Sequence, residues 1–195
     1  MRKFITVIFL LTSCQISLSQ FSLGIFGGAS NYQGDLVDGI YKQTKLAIGV
    51  TGNYSITERF TLRAGLTFAK VAGADSVGTT EFLRQIRNLS FESNITEFSL
   101  LGELTIFNLG NIRWSPYVFG GLAVYHFNPY AIDSNQKVYL QPLSTEGQGL
   151  SQYPDRKPYS LNQLAIPIGG GVSYVVSDNI RVGVEVGLRK LFTDY

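Results

Sequence analysis

The sequence predicts an all-β protein, a small antiparallel up-and-down transmembrane β-barrel of the eight-stranded type with about seven strands visible. Three observations carry this. Apolar residues recur at every second position through long segments. The intervening positions hold Gly, Thr, Ser and Asn with a few charges and almost no Lys. The gaps between segments alternate between short and long, the asymmetry of barrels with tight turns at one rim and extended loops at the other.

Residues 180–190 show the first observation plainly. Ile180, Val182, Val184, Val186 and Leu188 alternate with Arg181, Gly183, Glu185, Gly187 and Arg189. In a soluble barrel the valines would fill the core; in a membrane barrel they would meet lipid. Composition decides the direction. Charged residues are 15% of the chain, against ~25% in ordinary soluble domains. A wet sheet face carries dense Lys and Glu, whereas small side chains and a few opposite charges suit a narrow lumen.

The first twenty residues read as a secretory signal, with Arg2 and Lys3 ahead of an apolar run from Phe4 to Leu11 and a small-x-small site at Ser17-Leu18-Ser19. Leu11-Thr12-Ser13-Cys14 also resembles a lipobox, so lipidation of Cys14 is the rival processing. The domain proper is then 21–195. Removing Arg2 and Lys3 from 16 basic residues leaves 14 against 14 acidic ones, a neutral body with no footprint for nucleic acid. Cys14 is the single cysteine, so ordinary cleavage leaves no thiol for a disulfide or thiolate metal site.

Seven alternating segments follow: Ser22–Tyr32, Leu46–Ile56, Phe60–Val71, Ile95–Phe107, Pro116–Phe127, Ala165–Val175 and Ile180–Leu191. Most have the ~10–12 residues that cross a bilayer at a tilt. A helix is conceivable only at 79–88. Arg59, Arg63, Arg181 and Arg189 are expected in the lumen, paired with Glu97, Glu103 and Glu185, because unpaired charges there are costly. An odd number of strands leaves an open edge in lipid. The expectation is that the chain is C-terminally truncated and lacks its last strand.

Catalytic signals are weak. His126 is the sole histidine, and in His126-Phe127-Asn128 an Asn stands where a His-x-Ser pair would place its nucleophile. The glycines at 169–171 lack any phosphate-loop context and read as packing residues. Asp35 and Asp38 without an EF-hand pattern are a poor calcium site, and the Asn88 and Asn94 glycosylation matches read as chance. No cofactor, metal, catalytic residue or small-molecule substrate is predicted. The long segment 128–164 reads as an ordered external loop.

Five stretches carry a resemblance: "NYQGDL" (31–36), "RNLSFESNITEFSLLGELTIFNL" (87–109), "SPYVFGGLAVYHFNP" (115–129), "LQPLSTEGQG" (140–149) and "RKLFTDY" (189–195). Together they resemble the PorG-like outer-membrane barrels of Bacteroidota. That resemblance implies an OmpA-like eight-stranded barrel in the cell outer membrane, in contact with outer-membrane lipid. It also implies a non-enzymatic role in the type IX secretion system, contacting a periplasmic ring made of a lipoprotein and its partner subunit. Relatives continue past "TDY" with a final strand. Arg113 and Trp114, in a short turn, are the candidate partner-binding residues, since Arg and Trp make good interface anchors. The alternative is a generic small envelope barrel for surface adhesion or outer-membrane integrity.

Overall fold

The computed structural model describes residues 8–18 (backbone only), 20–32, 44–74, 90–109, 112–133, 136–144, 147–149, 151–152, 155 and 158–192. Among the described residues nine strands form: β1 (Ile8–Leu18), β2 (Phe21–Asn31), β3 (Lys45–Ser55), β4 (Phe60–Ala74), β5 (Ser90–Thr105), β6 (Trp114–Asp133), β7 (Gln136–Tyr139), β8 (Asn162–Ser177) and β9 (Ile180–Leu191). Eight of them pair antiparallel in a ring, β1 through β6, then β8 and β9. The ring closes where β5 meets β6 and where β9 meets β1. Each stave thus has two hydrogen-bonded neighbours, which removes the exposed edge that lipid would penalise.

Seven staves coincide with the segments that alternate in the sequence. The eighth stave comes from the opening segment. Residues 8–18 fill the slot between β2 and β9, from Ile8↔Asn31 to Leu18↔Phe21 on one side and Phe9↔Gly187 to Ile16↔Ile180 on the other. An apolar run of that length suits a leader and a membrane stave equally, so composition does not separate the two uses.

β5 starts at Ser90 and β6 runs on to Asp133, beyond the expected limits. The last residues of β4 and β6 and the first of β5, with the short β7 hairpin against β6, raise one side of the wall above the rest. His126 is the last β6 residue to pair with β8, and Tyr130 onward pairs with β7 instead. Residues 79–88 and Asp35 and Asp38 lie outside the described residues.

Side chains divide as alternation requires. Leu100 and Val184 are each 49% exposed, while Arg63 is 7% and Glu185 5% exposed. Phe60 and Val182 also lie outside. The ordinary arrangement of a soluble barrel is therefore inverted. A monomer in water rarely shows a continuous apolar patch beyond a few hundred Å², yet here every stave with described side chains contributes to one.

The interior is a packed core. At the upper, long-loop end, Ala123, Tyr125, Phe127 and Ala165 pack with Tyr159, which comes from the long connection after β7. The Tyr159 ring stacks on Phe127 with centroids 5.9 Å apart. Gly147 and Gly149, at φ 77° and 74°, bracket the buried Gln148, whose Nε2 donates to the Gln141 carbonyl at 3.3 Å. Only residues tolerant of the left-handed region turn the chain so tightly, which accounts for the glycines of "TEGQG".

Candidate functional site

Three surfaces carry what this barrel can do: the outer belt, the filled lumen and the two rims.

The belt follows from the outward positions of each stave. On β6 it runs from Trp114 through Val118 and Leu122 to Val124. A strand rising ~3.3 Å per residue and tilted ~40° carries that stretch through about 25 Å, the height of an outer-membrane apolar band. Near the short turns the belt becomes aromatic, with Phe21, Tyr54, Phe60, Phe107, Trp114 and Tyr174 all exposed. Phe21 pairs across strands with Tyr54, Trp114 with Tyr174, and Phe107 meets Trp114 edge-on at 5.6 Å. Such rings suit the boundary between hydrocarbon and headgroups. No helix among the described residues is long and apolar enough to cross a membrane.

The lumen holds charge at two levels. In the lower one, Arg63 on β4 donates from Nη1 to Glu185 Oε2 at 2.6 Å and from Nη2 to Glu103 Oε2 at 2.5 Å. The Tyr117 hydroxyl donates to the same Glu185 oxygen at 2.9 Å. The guanidinium also lies 5.0 Å from the centre of the Phe119 ring and 5.8 Å from that of Tyr117. At the upper level Arg189 grips Glu97 with two bonds, Nε to Oε2 at 3.2 Å and Nη2 to Oε1 at 3.1 Å. Bidentate geometry of this kind is what makes a buried pair tolerable. Thr67, Ser99, Thr61 and Thr105 occupy other inward positions, all buried.

Of the other expected interior charges, one lies elsewhere and one sits at the lumen's lower end. Arg59 sits exposed in the turn before β4, so it belongs to the rim rather than the lumen. It shares its parity with Arg63, but the turn over residues 56–59 ends the alternation first. Arg181 keeps the inward parity of β9 but is only half-buried at the short-turn end. The glycine run on β8 makes room for neighbouring rings. Gly169 and Gly171 face Phe119 and Tyr117 across the β6–β8 ladder, and a Cβ at either would strike those rings.

The short-turn rim is tied together. Glu58 in one turn accepts a bond from the Asn108 side chain in the next at 2.5 Å. Gln20 accepts from the Tyr54 hydroxyl at 3.1 Å and, through its carbonyl, from the Ser55 amide at 2.8 Å. The carbonyl of Arg113 accepts from the Val175 amide at 2.7 Å, which pins its backbone while its side chain stays exposed. Trp114, the other sequence-predicted partner residue, stands in the aromatic ring of the belt beside Arg113 rather than on the turn itself.

The long-loop rim carries a cluster that the sequence pattern does not reveal. Glu92 on β5 meets Lys70 Nζ at 2.6 Å, Lys45 Nζ at 3.1 Å and the Tyr130 hydroxyl at 2.9 Å. Lys137 Nζ lies 4.8 Å from the centre of the Tyr130 ring. Glu92 lies beyond the belt, which ends on its stave at Phe98. The bond from Lys70 above all, with those from Tyr130 and Lys45, lowers the Glu92 carboxyl to about 2 against the cost of its partial burial. These residues stand far apart in sequence, and only the register brings them together.

His126 is exposed near the upper edge of the belt, where its Nδ1 lies 2.9 Å from Asn162 Oδ1. A hydrogen-bonded interfacial imidazole fits that place. Among the described residues no group of three His, Cys, Asp or Glu side chains converges as metal ligands would.

Comparison with curated proteins finds no significant match. The model of the family described as a domain of unknown function, DUF6089, matches residues 1–195, and the chain therefore belongs to the DUF6089 family.

Proposed function

We propose that this chain is a non-enzymatic outer-membrane β-barrel serving as a structural, protein-binding component of the type IX secretion machinery. The observation that carries the structural part is the pairing of an apolar outer belt with a filled, ion-paired lumen. A lumen packed with Arg63, Tyr117, Phe119, Glu97 and Arg189 offers no path for a folded cargo, since eight staves enclose little more than their own side chains. Work must then be done at the rims.

The short-turn rim is the periplasmic one in this reading, because short periplasmic turns and long external loops are the rule for such barrels. Its turns are cross-linked by Glu58–Asn108 and Gln20–Tyr54, and a preorganised surface loses little entropy on binding. Arg113 projects from that rim and is the residue through which a ring lipoprotein or its partner subunit is contacted. The resemblance to PorG-like barrels supports the secretion role specifically.

Deleting the gene tests it. Cargo retained in the periplasm supports the secretion role. Normal secretion with a fragile or non-adhesive envelope supports a generic barrel instead. Within the first outcome, Arg113→Ala should reduce recovery of ring proteins in an envelope pull-down while barrel levels stay unchanged.

A further inference from the structure

Three arginines stand at the short-turn end without a partner. Arg59 lies in the turn before β4, Arg113 immediately before β6 and Arg181 at the start of β9. The ladder sets them two staves apart. The Arg59 carbonyl accepts from the Thr105 amide on β5. The Arg113 carbonyl accepts from the Val175 amide on β8, and Val175 pairs in turn with Arg181 on β9. Arg113 and Arg181 thus flank one residue of β8, with backbones about 10 Å apart at the spacing of neighbouring strands.

Arg63, Arg189, Lys45 and Lys70 each meet a carboxylate. The side chains of Arg59, Arg113 and Arg181 meet none among the described residues. The acids of this end do not serve them. Glu103 and Glu185 are both held by Arg63, and Glu58 accepts from Asn108. Asp178 is exposed in the turn before β9 and bridges to none of the three.

The same turns expose aliphatic side chains. Ile56, Ile112 and Val176 each lie two residues nearer the turn than a girdle aromatic, Tyr54, Trp114 or Tyr174. Apolar groups beyond the girdle, set beside free guanidinium groups, have the composition of a protein-docking surface. Arg113 and Arg181 also share the inward parity of Tyr117 and Glu185, so they border the lumen mouth rather than the lipid belt.

We propose that this rim docks an acidic peptide segment of a periplasmic protein, whose carboxylates pair with Arg59, Arg113 and Arg181. It rests on the protein-binding reading above and gives that partner its chemistry. Guanidinium forks suit carboxylates, and the Glu58–Asn108 bond holds two of the turns ready for docking.

The test titrates the full chain, folded in detergent micelles, against fluorescein-labelled hexaglutamate, with hexaglutamine as the neutral control. Binding is read as fluorescence anisotropy. Hexaglutamate should bind and hexaglutamine should not. Each of Arg59→Gln and Arg113→Gln should weaken binding about three- to fivefold, the scale of one exposed ion pair. Arg113→Lys should restore part of the loss. Lys137→Gln, at the opposite rim, should change nothing. Arg59 and Arg113 are exposed, so their variants keep the test valid if Arg181→Gln fails to fold.

Equal binding of the two peptides overturns the proposal, as does a loss for Lys137→Gln as large as that for Arg113→Gln. Displacement of the peptide by phosphatidylglycerol added to the micelles assigns the rim to a lipid headgroup and overturns the peptide. Normal secretion after gene deletion would strike the secretion role alone, because the titration reads only the chemistry of the rim.

Discussion

The two charged levels of the lumen are built differently. Arg189 and Glu97 are joined by two hydrogen bonds. Arg63 stands between two carboxylates, Glu103 and Glu185, and is helped by the Tyr117 hydroxyl and two aromatic rings. The upper level is a bidentate pair beneath an apolar cap of Tyr125, Phe127 and Tyr159. The lower is a network whose centre is irreplaceable. A buried pair loses both partners' value when either is cut, but a network with one cation and two anions is asymmetric. Removing the cation leaves two like charges facing each other across a lumen that excludes water.

Four predictions sharpen that contrast. Arg63→Leu should have the largest effect, destabilising the folded barrel by about 3–5 kcal/mol, as read by urea unfolding in detergent. Arg189→Leu should cost less than Arg63→Leu, because among the described residues it strands one carboxylate rather than two. Equal costs would mean the levels are equivalent. Gly169→Val should come next, at about 1–3 kcal/mol for overpacking against the Val186 carbonyl and the Phe119 ring. Combined with Phe119→Leu, it should cost less than the sum of the two single changes.

The smallest effect concerns pH at the long-loop rim. A carboxyl held near 2 in the folded barrel and near its ordinary value when unfolded adds stability that is complete above about pH 5 and fades as pH falls through 2. Wild type should therefore exceed Glu92→Gln in melting temperature by a constant margin from pH 7 to pH 5. Below pH 4.5 that margin should shrink. A margin that grows on acidification would contradict the assigned role of Glu92.

Much of the architecture was legible because alternation is a local property. The β9 pattern, its inward Glu185 and its outward Val184 follow from counting by twos. Which charges meet was not legible. Arg63 and Glu185 are 122 positions apart and touch only because the ring closes. Parity alone puts Arg59 in the lumen, because parity says nothing about where a strand starts. The extensions of β5 and β6 are not legible in the pattern because a face beyond the apolar belt no longer carries apolar residues at every second position. The Lys45–Lys70–Glu92 cluster belongs to that same region. Residues 8–18 read as leader and as strand alike, because the two share one composition.

Inversion of the barrel underlies every functional statement made of it, and single spin labels on β5 probe that inversion. In a Cys14→Ser background, with the chain in lipid vesicles, labels at Leu100→Cys and Ser99→Cys sit on adjacent residues with opposite faces. The label at 100 should collide freely with oxygen dissolved in the bilayer and hardly at all with an aqueous nickel chelate, while the label at 99 should meet neither. A label at 100 that the chelate reaches readily would place the apolar face in water and undo the inversion.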